Sequence, residues 1–424
     1  MTILNTRVSD TRAGRLTAPA YAYAFLEEFI LLYPVYALLF TDTGLTVPQI
    51  SVLFVLWALT SVTLTVPAGA LADVIPRRYL LAAAPVVTGT GFALWTLFPS
   101  PWIFALGFVL WGAGGALSSG AFEALVYTEL EHRGLEDRYA RIMGVTRALG
   151  VSAVGSATLL AVPAMSQGGY PLVGAASVTA CALCALAALF LPEHRTRSTS
   201  DGDEDDETPG YRRTLILGLT EVRDDRAVRA AVLLVILVSA FWGSLDEYVP
   251  LLAEDSGVAT EDVPLVLMVV WIGVTLGGLL AGPASRLPHP FLSALLVLAS
   301  VAIAAGALLT DPVGWVLLAF GFGVCQMMIV VSDARLQDSI TGDSRATVTS
   351  LADLGTEGLG TSTYLVYAGV FTVLGHGAAF ALFATPHLVA ALFLARMGRS
   401  RAKGRAPAAS PKVTGGTGEN PKAS

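Results

Sequence analysis

The sequence predicts an all-α integral membrane protein, with twelve transmembrane helices in two six-helix bundles and both termini cytoplasmic. Three observations carry this reading. The 424 residues are 54 % hydrophobic and only 14 % charged, where soluble domains carry about a quarter charged. Apolar runs long enough to span a bilayer recur with short breaks between them. Under that topology, Lys and Arg all fall on one side. A mean hydropathy of +0.65 fits a chain whose solvent is lipid.

A spanning helix needs ~20 mostly apolar residues. Such runs lie near 18–40, 48–71, 79–98, 102–126, 142–164, 171–191, 230–252, 264–285, 290–309, 313–333, 346–371 and 376–395. The first follows a polar, arginine-bearing start without a small-residue cleavage site, which predicts a retained helix. The breaks carry turn chemistry, as at Pro99-Ser100-Pro101, Gln167-Gly168-Gly169 and Gly375-His376-Gly377. Runs of about ten alternating residues would suit barrel strands instead.

Orientation follows from the 26 Lys and Arg, which mark cytoplasmic loops. Arg77 and Arg78 fall between spans 2 and 3. Arg133, Arg138, Arg141 and Arg147 flank the turn between spans 4 and 5. Others cluster before span 1, in the middle segment, near the turns after spans 8 and 10, and in the tail. Localisation in the cytoplasmic membrane, multi-pass, is the expectation.

Residues 1–192 form the first expected bundle and residues 230–396 the second. Between them, 193–229 read as a cytoplasmic linker with an acidic run from Asp201 to Glu207, expected to be solvated. Residues 397–424 read as a disordered basic tail. The halves resemble each other. Trp111-Gly-Ala-Gly114 in span 4 matches Phe320-Gly-Phe-Gly323 in span 10, which sets Glu123 opposite Ser332 and Glu129 opposite Asp338. Two six-helix repeats with a midplane site between them is a transporter plan.

Between spans 2 and 3 stands Gly69-Ala-Leu71-Ala-Asp73-Val-Ile-Pro76-Arg77-Arg78. This resembles the loop 2–3 signature of the major facilitator superfamily, with Val74 and Pro76 departing from it. Span count, linker position and topology extend the resemblance over the whole chain. It implies alternating access, and a latch of Asp73 and Arg77 that stabilises the outward-facing state. Arg77 and Arg78 also serve topology, and Gly69 permits close helix approach.

An ionisable group inside a bilayer is a functional candidate by default. Span 1 holds Glu27 and Glu28. Adjacent helical residues point about 100° apart, so one faces a cavity better than the other. Glu27, which shares its face with Tyr23, is preferred slightly. Span 11 offers Asp353, Glu357 and Tyr364 on one polar stripe with Ser350 and Thr361. Span 7 carries Asp246 and Glu247, which suit either the cavity or an outer rim, with Trp242 one turn earlier. Glu123 and Arg147 lie at similar depth, as a gate or structural pair before substrate contact.

Desolvation disfavours a charged carboxylate, so such a group can hold a proton in one state and release it in another. That predicts proton coupling. Acidic residues without midplane cations favour cationic or neutral substrates. The leading expectation is a secondary transporter resembling the drug:proton antiporters of the superfamily, exporting hydrophobic or cationic compounds. Span 5 lacks the glycine-proline signature of many such antiporters, which leaves uptake of a small metabolite by symport open. A non-transporting sensor of the same fold is a lesser alternative.

The expected partners are a small-molecule substrate, protons and the lipid bilayer, with the protein acting as a monomer. No cofactor and no metal are expected. A net charge of −7 offers no basic patch for nucleic acid. Cys181, Cys184 and Cys325 sit in apolar runs, where packing is the expected role. Five scattered histidines and the lack of a phosphate-binding glycine-lysine loop argue against an enzyme or an ATP-driven pump.

Overall fold

The structure, a computed structural model, describes residues 16–194, 220, 222–309, 311–340 and 345–404. The side chains of residues 73, 345, 346 and 397–404 lie outside the described residues. So do the acidic run at 201–207 and the tail after 404.

The described residues are helical, without strands. The first half comprises α1 (residues 16–28), α2 (Tyr36–Asp42), α3 (Val47–Val74), α4 (Arg77–Leu97), α5 (Pro101–Ser118), α6 (Ala121–His132) and α7 (Tyr139–Leu189). The second comprises α8 (Arg226–Asp246), α9 (Val249–Asp255), α10 (Val263–Ala284), α11 (His289–Leu309), α12 (Pro312–Ser339) and α13 (Arg345–Gly404). Among the described residues, nine helices are long and apolar enough to cross a membrane.

Local chemistry sets the starts. Asp311 Oδ1 accepts from Gly314 N at 2.7 Å, with Pro312 opening α12. Asp225 caps α8 by accepting from Ala227 N at 2.6 Å. Before α3, Thr46 N donates to Gln49 Oε1 at 2.8 Å. These contacts satisfy amide groups that a helix leaves unpaired at its first turn.

Two helices exceed a single crossing. α7 has 51 residues and α13 has 60, or roughly 75 and 90 Å at ~1.5 Å per residue, against a hydrocarbon core of ~30 Å. One glycine interrupts each. Gly169 has φ 57° and ψ −156°, and Gly375 has φ 72° and ψ 178°. Only glycine takes such angles without steric cost. Both lie at turns read from the sequence, and each arm has the length of one crossing.

Spans 1 and 7 depart from continuous helices over 18–40 and 230–252. α1 ends at 28, residues 29–35 are irregular, and α2 restarts at Tyr36. α8 ends at Asp246, and α9 starts at Val249. Each break precedes or contains a proline, Pro34 or Pro250. Proline lacks an N–H and disfavours helical backbone in the residue before it. Irregular backbone at membrane depth is tolerated where it lines a cavity or is buried in protein.

Within the halves, α4 packs on α5 and α7, and α3 on α5; α10 packs on α12, α11 on α13, and α8 on α13. Across the halves, α3 meets α13, α7 meets α10, and α2 meets α9. This exchange pattern is that of a two-fold related pair, in which the same surfaces serve both partners.

Glycines let α5 and α12 close on their neighbours. A Cβ at Gly112 would lie 2.9 Å from Trp57 O of α3, and one at Gly114 2.8 Å from Ala84 O of α4. A Cβ at Gly323 would lie 2.4 Å from Gly273 O of α10, and one at Gly321 3.1 Å from Ala299 O of α11. In each half, one glycine of the pair serves one neighbouring helix and the second serves the other.

Candidate functional site

The irregular backbone after α1 and α8 places both acidic pairs at cavities between the halves. A cavity of 280 Å³ is walled by Glu28, Asp246 and Glu247, with Tyr33, Tyr36, Trp111 and Trp271 around them. Its described wall holds no lysine, arginine or histidine. A larger cavity of 630 Å³ shares Glu28, Val154 and Trp271 with it. This one runs along α7 from Met143 to Gly155 and along α10 from Met268 to Leu276, with Glu27, Glu123 and Arg147 on its wall. A third space of 160 Å³ lies between α1, α4 and α5 and touches Glu27 and Glu28. Glu28 thus lines all three. A Cβ at Gly150 would stand 3.3 Å from Glu28 Cγ, so that glycine leaves the carboxylate its room.

The four carboxylates are held differently. Tyr23 Oη donates to Glu27 Oε1 at 3.1 Å within α1. Tyr23 itself is fully buried and stacks on Phe122 at 5.2 Å. Tyr36 Oη donates to Glu247 Oε2 across the halves. Asp246 Oδ1 is buried with no hydrogen-bond partner among the described residues, and so is Trp242 Nε1 one turn earlier. Trp242 packs against Phe322 at 6.0 Å.

The remaining expected residues are spread out. Tyr364 is buried against Phe54 at 5.3 Å and Tyr248 at 6.2 Å. Asp353 and Glu357 are exposed and are not on the walls of these three cavities. Glu123 and Arg147 share the large cavity, and no ion pair joins them among the described residues. Nothing lies within 4 Å of a Cβ built at Gly69, so that glycine makes no close helix approach in this conformation.

The side chain of Asp73 lies outside the described residues, so the expected latch with Arg77 does too. The N-terminus of α4 is instead held by Glu193. Its Oε1 accepts from Arg77 N at 2.9 Å and its Oε2 from Arg78 N at 3.1 Å, where the helix dipole favours an anion. The Arg77 guanidinium donates to Thr128 Oγ1 at 3.1 Å, and that of Arg78 lies 4.8 Å over the Tyr79 ring. Glu129, buried at the end of α6, accepts from Arg133 at 3.0 Å and contacts His194 Nδ1 at 3.0 Å.

Sequence reading missed a second repeat, and it carries the site. Thr41-Asp42-Thr43-Gly44-Leu45 matches Glu254-Asp255-Ser256-Gly257-Val258. The backbones match as well. Gly44 and Gly257 have φ of 97° and 84°. Gly44 N donates to Thr41 O at 2.8 Å, and Gly257 N to Glu254 O at 2.9 Å. Thr43 Oγ1 and Ser256 Oγ donate to Leu39 O and Leu252 O at 2.7 and 2.5 Å. Upstream of each motif stands an acidic pair, Leu26-Glu-Glu28-Phe29 or Leu245-Asp-Glu247-Tyr248. The longer break in the first half hides the match from simple alignment.

Thr41 Oγ1 donates to Glu254 Oε2 at 3.0 Å across 213 positions. These two residues are counterparts in the repeat, so the contact marks where the pseudo-two-fold axis passes. Together with Tyr36–Glu247, and with Ser51 Oγ 2.7 Å from Tyr248 Oη, it closes the halves at the end away from the clustered arginines. The 630 Å³ cavity extends towards the arginine-bearing end, where α7 begins.

The profile of the Major Facilitator Superfamily matches residues 17–363. The chain belongs to this superfamily. It is therefore a secondary transporter working by alternating access, and not an enzyme. Among solved structures, the nucleoside transporter NupG superposes with a TM-score of 0.66 at 16 % identity, covering 90 % of this chain and 98 % of that one. A mutant form of NupG reaches 0.70. A bacterial homologue of the human lysosomal transporter Spinster, inward-facing and unoccupied, gives 0.70 at 15 % identity, covering 94 % and 99 %. At these identities the likeness is one of fold. Curated protein sequences give no match.

Proposed function

We propose that this superfamily member exports small cationic compounds, hydrophobic ones included, across the cytoplasmic membrane in exchange for protons. The observation that carries the reading is the 280 Å³ cavity: three carboxylates, four aromatic rings and no basic side chain on its described wall. Carboxylates attract a cation, and aromatic faces add cation–π attraction of about 0.5–2 kcal/mol each. One carboxylate cannot hold a proton and a cation together. Competition for it makes the two move in opposite directions, which is antiport. Uptake of a cation would need no proton, because an inside-negative potential draws it in by ~2.3 kcal/mol per charge per 100 mV.

The topology in this reading has twelve crossings, with α7 and α13 each counted as two and α1–α2, α5–α6 and α8–α9 each as one, and both termini cytoplasmic. The inter-half contacts at the arginine-free end, with the large cavity leading to the other end, support an inward-facing conformation. A second reading is proton symport of a neutral metabolite. The same four rings suit a flat neutral molecule, and NupG carries nucleosides by its description.

The test uses purified protein in sealed liposomes with an internal pH dye. A proton gradient is imposed, and lipophilic cations, small ammonium compounds or neutral metabolites are added. Cation-triggered proton movement opposite to the cation, lost in Glu28→Gln and Glu247→Gln, is expected. Movement in the same direction as a neutral compound would establish the second reading. Proton movement that survives both substitutions would remove these carboxylates from the mechanism.

A further inference from the structure

Glu247 stands in two places at once. It walls the 280 Å³ cavity beside Asp246 and Glu28, and it accepts the Tyr36 hydroxyl from the opposite half. Tyr36 is itself a wall residue and is almost fully buried. The bond therefore closes the arginine-free end and lies in the cavity wall as well. We propose that Glu247 is a shared acceptor: Tyr36 holds it while that end is closed, and a small ammonium ion in the aromatic cavity takes it when that end opens.

The neighbouring groups agree with this role. Asp246 Oδ1 is buried without a partner among the described residues, so an acceptor for a second ammonium hydrogen, or a counter-charge for a quaternary one, stands beside Glu247. The cavity volume of 280 Å³ sits at the lower limit of the usual range for ligand sites, ~300–1,000 Å³, which selects a small cation over a bulky drug. A cation arriving from the larger cavity passes Glu28 and Trp271, which line both spaces. Pairing with Glu247 then withdraws the acceptor from Tyr36. The remaining side-chain hydrogen bonds that join the halves at that end are Thr41–Glu254 and Ser51–Tyr248. Occupancy by the cation thus favours the state in which the halves have parted. A ligand shifts such an equilibrium only through its differential interaction with the two states, and the exchange of partners at Glu247 supplies one.

This inference rests on the export reading for its ligand class, but its closed-state half does not. The test labels Ser51→Cys in detergent with a charged maleimide. Ser51 is fully buried between the halves, so the reagent reaches it only when they part. The native cysteines are buried, and protein without Ser51→Cys gives the background.

Tyr36→Phe should raise the labelling rate about tenfold without any ligand, the low end for losing a hydrogen bond to a charged group. Tetramethylammonium should raise it about as much in the parent and not at all in Glu247→Gln, whose amide oxygen still accepts from Tyr36. Unchanged labelling in Tyr36→Phe would overturn the proposal. So would an equal response of Glu247→Gln and the parent to tetramethylammonium, and this arm decides alone where Tyr36→Phe does not fold. If no cation moves protons in liposomes yet Tyr36→Phe opens the protein, the export reading has failed and the Tyr36–Glu247 contact stands. If antiport holds while Glu247→Gln still opens with tetramethylammonium, only the shared-acceptor role has failed.

Discussion

The α1–α2 and α8–α9 segments share one sequence pattern but hold their acids differently. Both run from a helix through an acidic pair and a break into a seven-residue helix that ends in a glycine turn. In the first, residues 29–35 separate the helices; in the second, only Glu247 and Tyr248 do. The short break carries Glu247 to the inter-half seam, where Tyr36 donates to it. The long break inserts Tyr33 and Pro34 into the cavity wall and leaves Glu28 facing all three spaces. Both segments carry the acids and the turn, and the length of the break sets whether a carboxylate meets the seam or the three spaces.

The largest expected effect tests that division. Glu28→Gln and Glu247→Gln should each reduce substrate-driven proton movement about a hundredfold, the low end for removing a proton-transferring group. Glu27→Gln, whose carboxylate is occupied by Tyr23, should lose less than about tenfold. A Glu27 variant worse than both would reverse the assignment within the first pair.

Packing contrasts come next. A Cβ at Gly277 would lie 1.8 Å from Gly323 O, whereas one at Gly115 meets nothing within 4 Å. Gly277→Ala should therefore lower stability by about 2 kcal/mol, as overpacking does, and Gly115→Ala by no more than ~0.5 kcal/mol. Equal melting temperatures in detergent would contradict the close α10–α12 approach.

The repeat itself predicts a matched pair. Gly44→Ala and Gly257→Ala each force a side chain into left-handed backbone and should each lose about 1 kcal/mol. A clear inequality would show that the two turns carry different loads. The smallest effect belongs to the axis contact. Thr41→Val removes one hydrogen bond to Glu254 and should speed Ser51→Cys labelling only about twofold, from ~0.5 kcal/mol. A tenfold change would make Thr41–Glu254, and not Tyr36–Glu247, the main closure.

Much of this architecture was legible in the residues. Hydropathy located the apolar runs, because bilayer thickness is a local length requirement that each helix meets alone. The superfamily resemblance at residues 69–78 pointed to the right family. The breaks after Glu28 and Asp246 were signalled by Pro34 and Pro250, yet hydropathy ran across them, since it does not register a missing N–H. Glu193 at the α4 N-terminus could not be read, because its partners lie 116 and 115 positions away.

The sequence by itself determined an apolar helical chain and its candidate carboxylates. These follow from properties that each segment carries locally: transfer free energy, backbone sterics and spacing. Only the tertiary structure decided that Glu28, Asp246 and Glu247 share one cavity, that Tyr36 holds Glu247, and that Asp353 and Glu357 stand outside these walls. Those facts depend on which faces of distant helices meet, and a rotation of ~100° per residue turns a neighbouring carboxylate from cavity to partner.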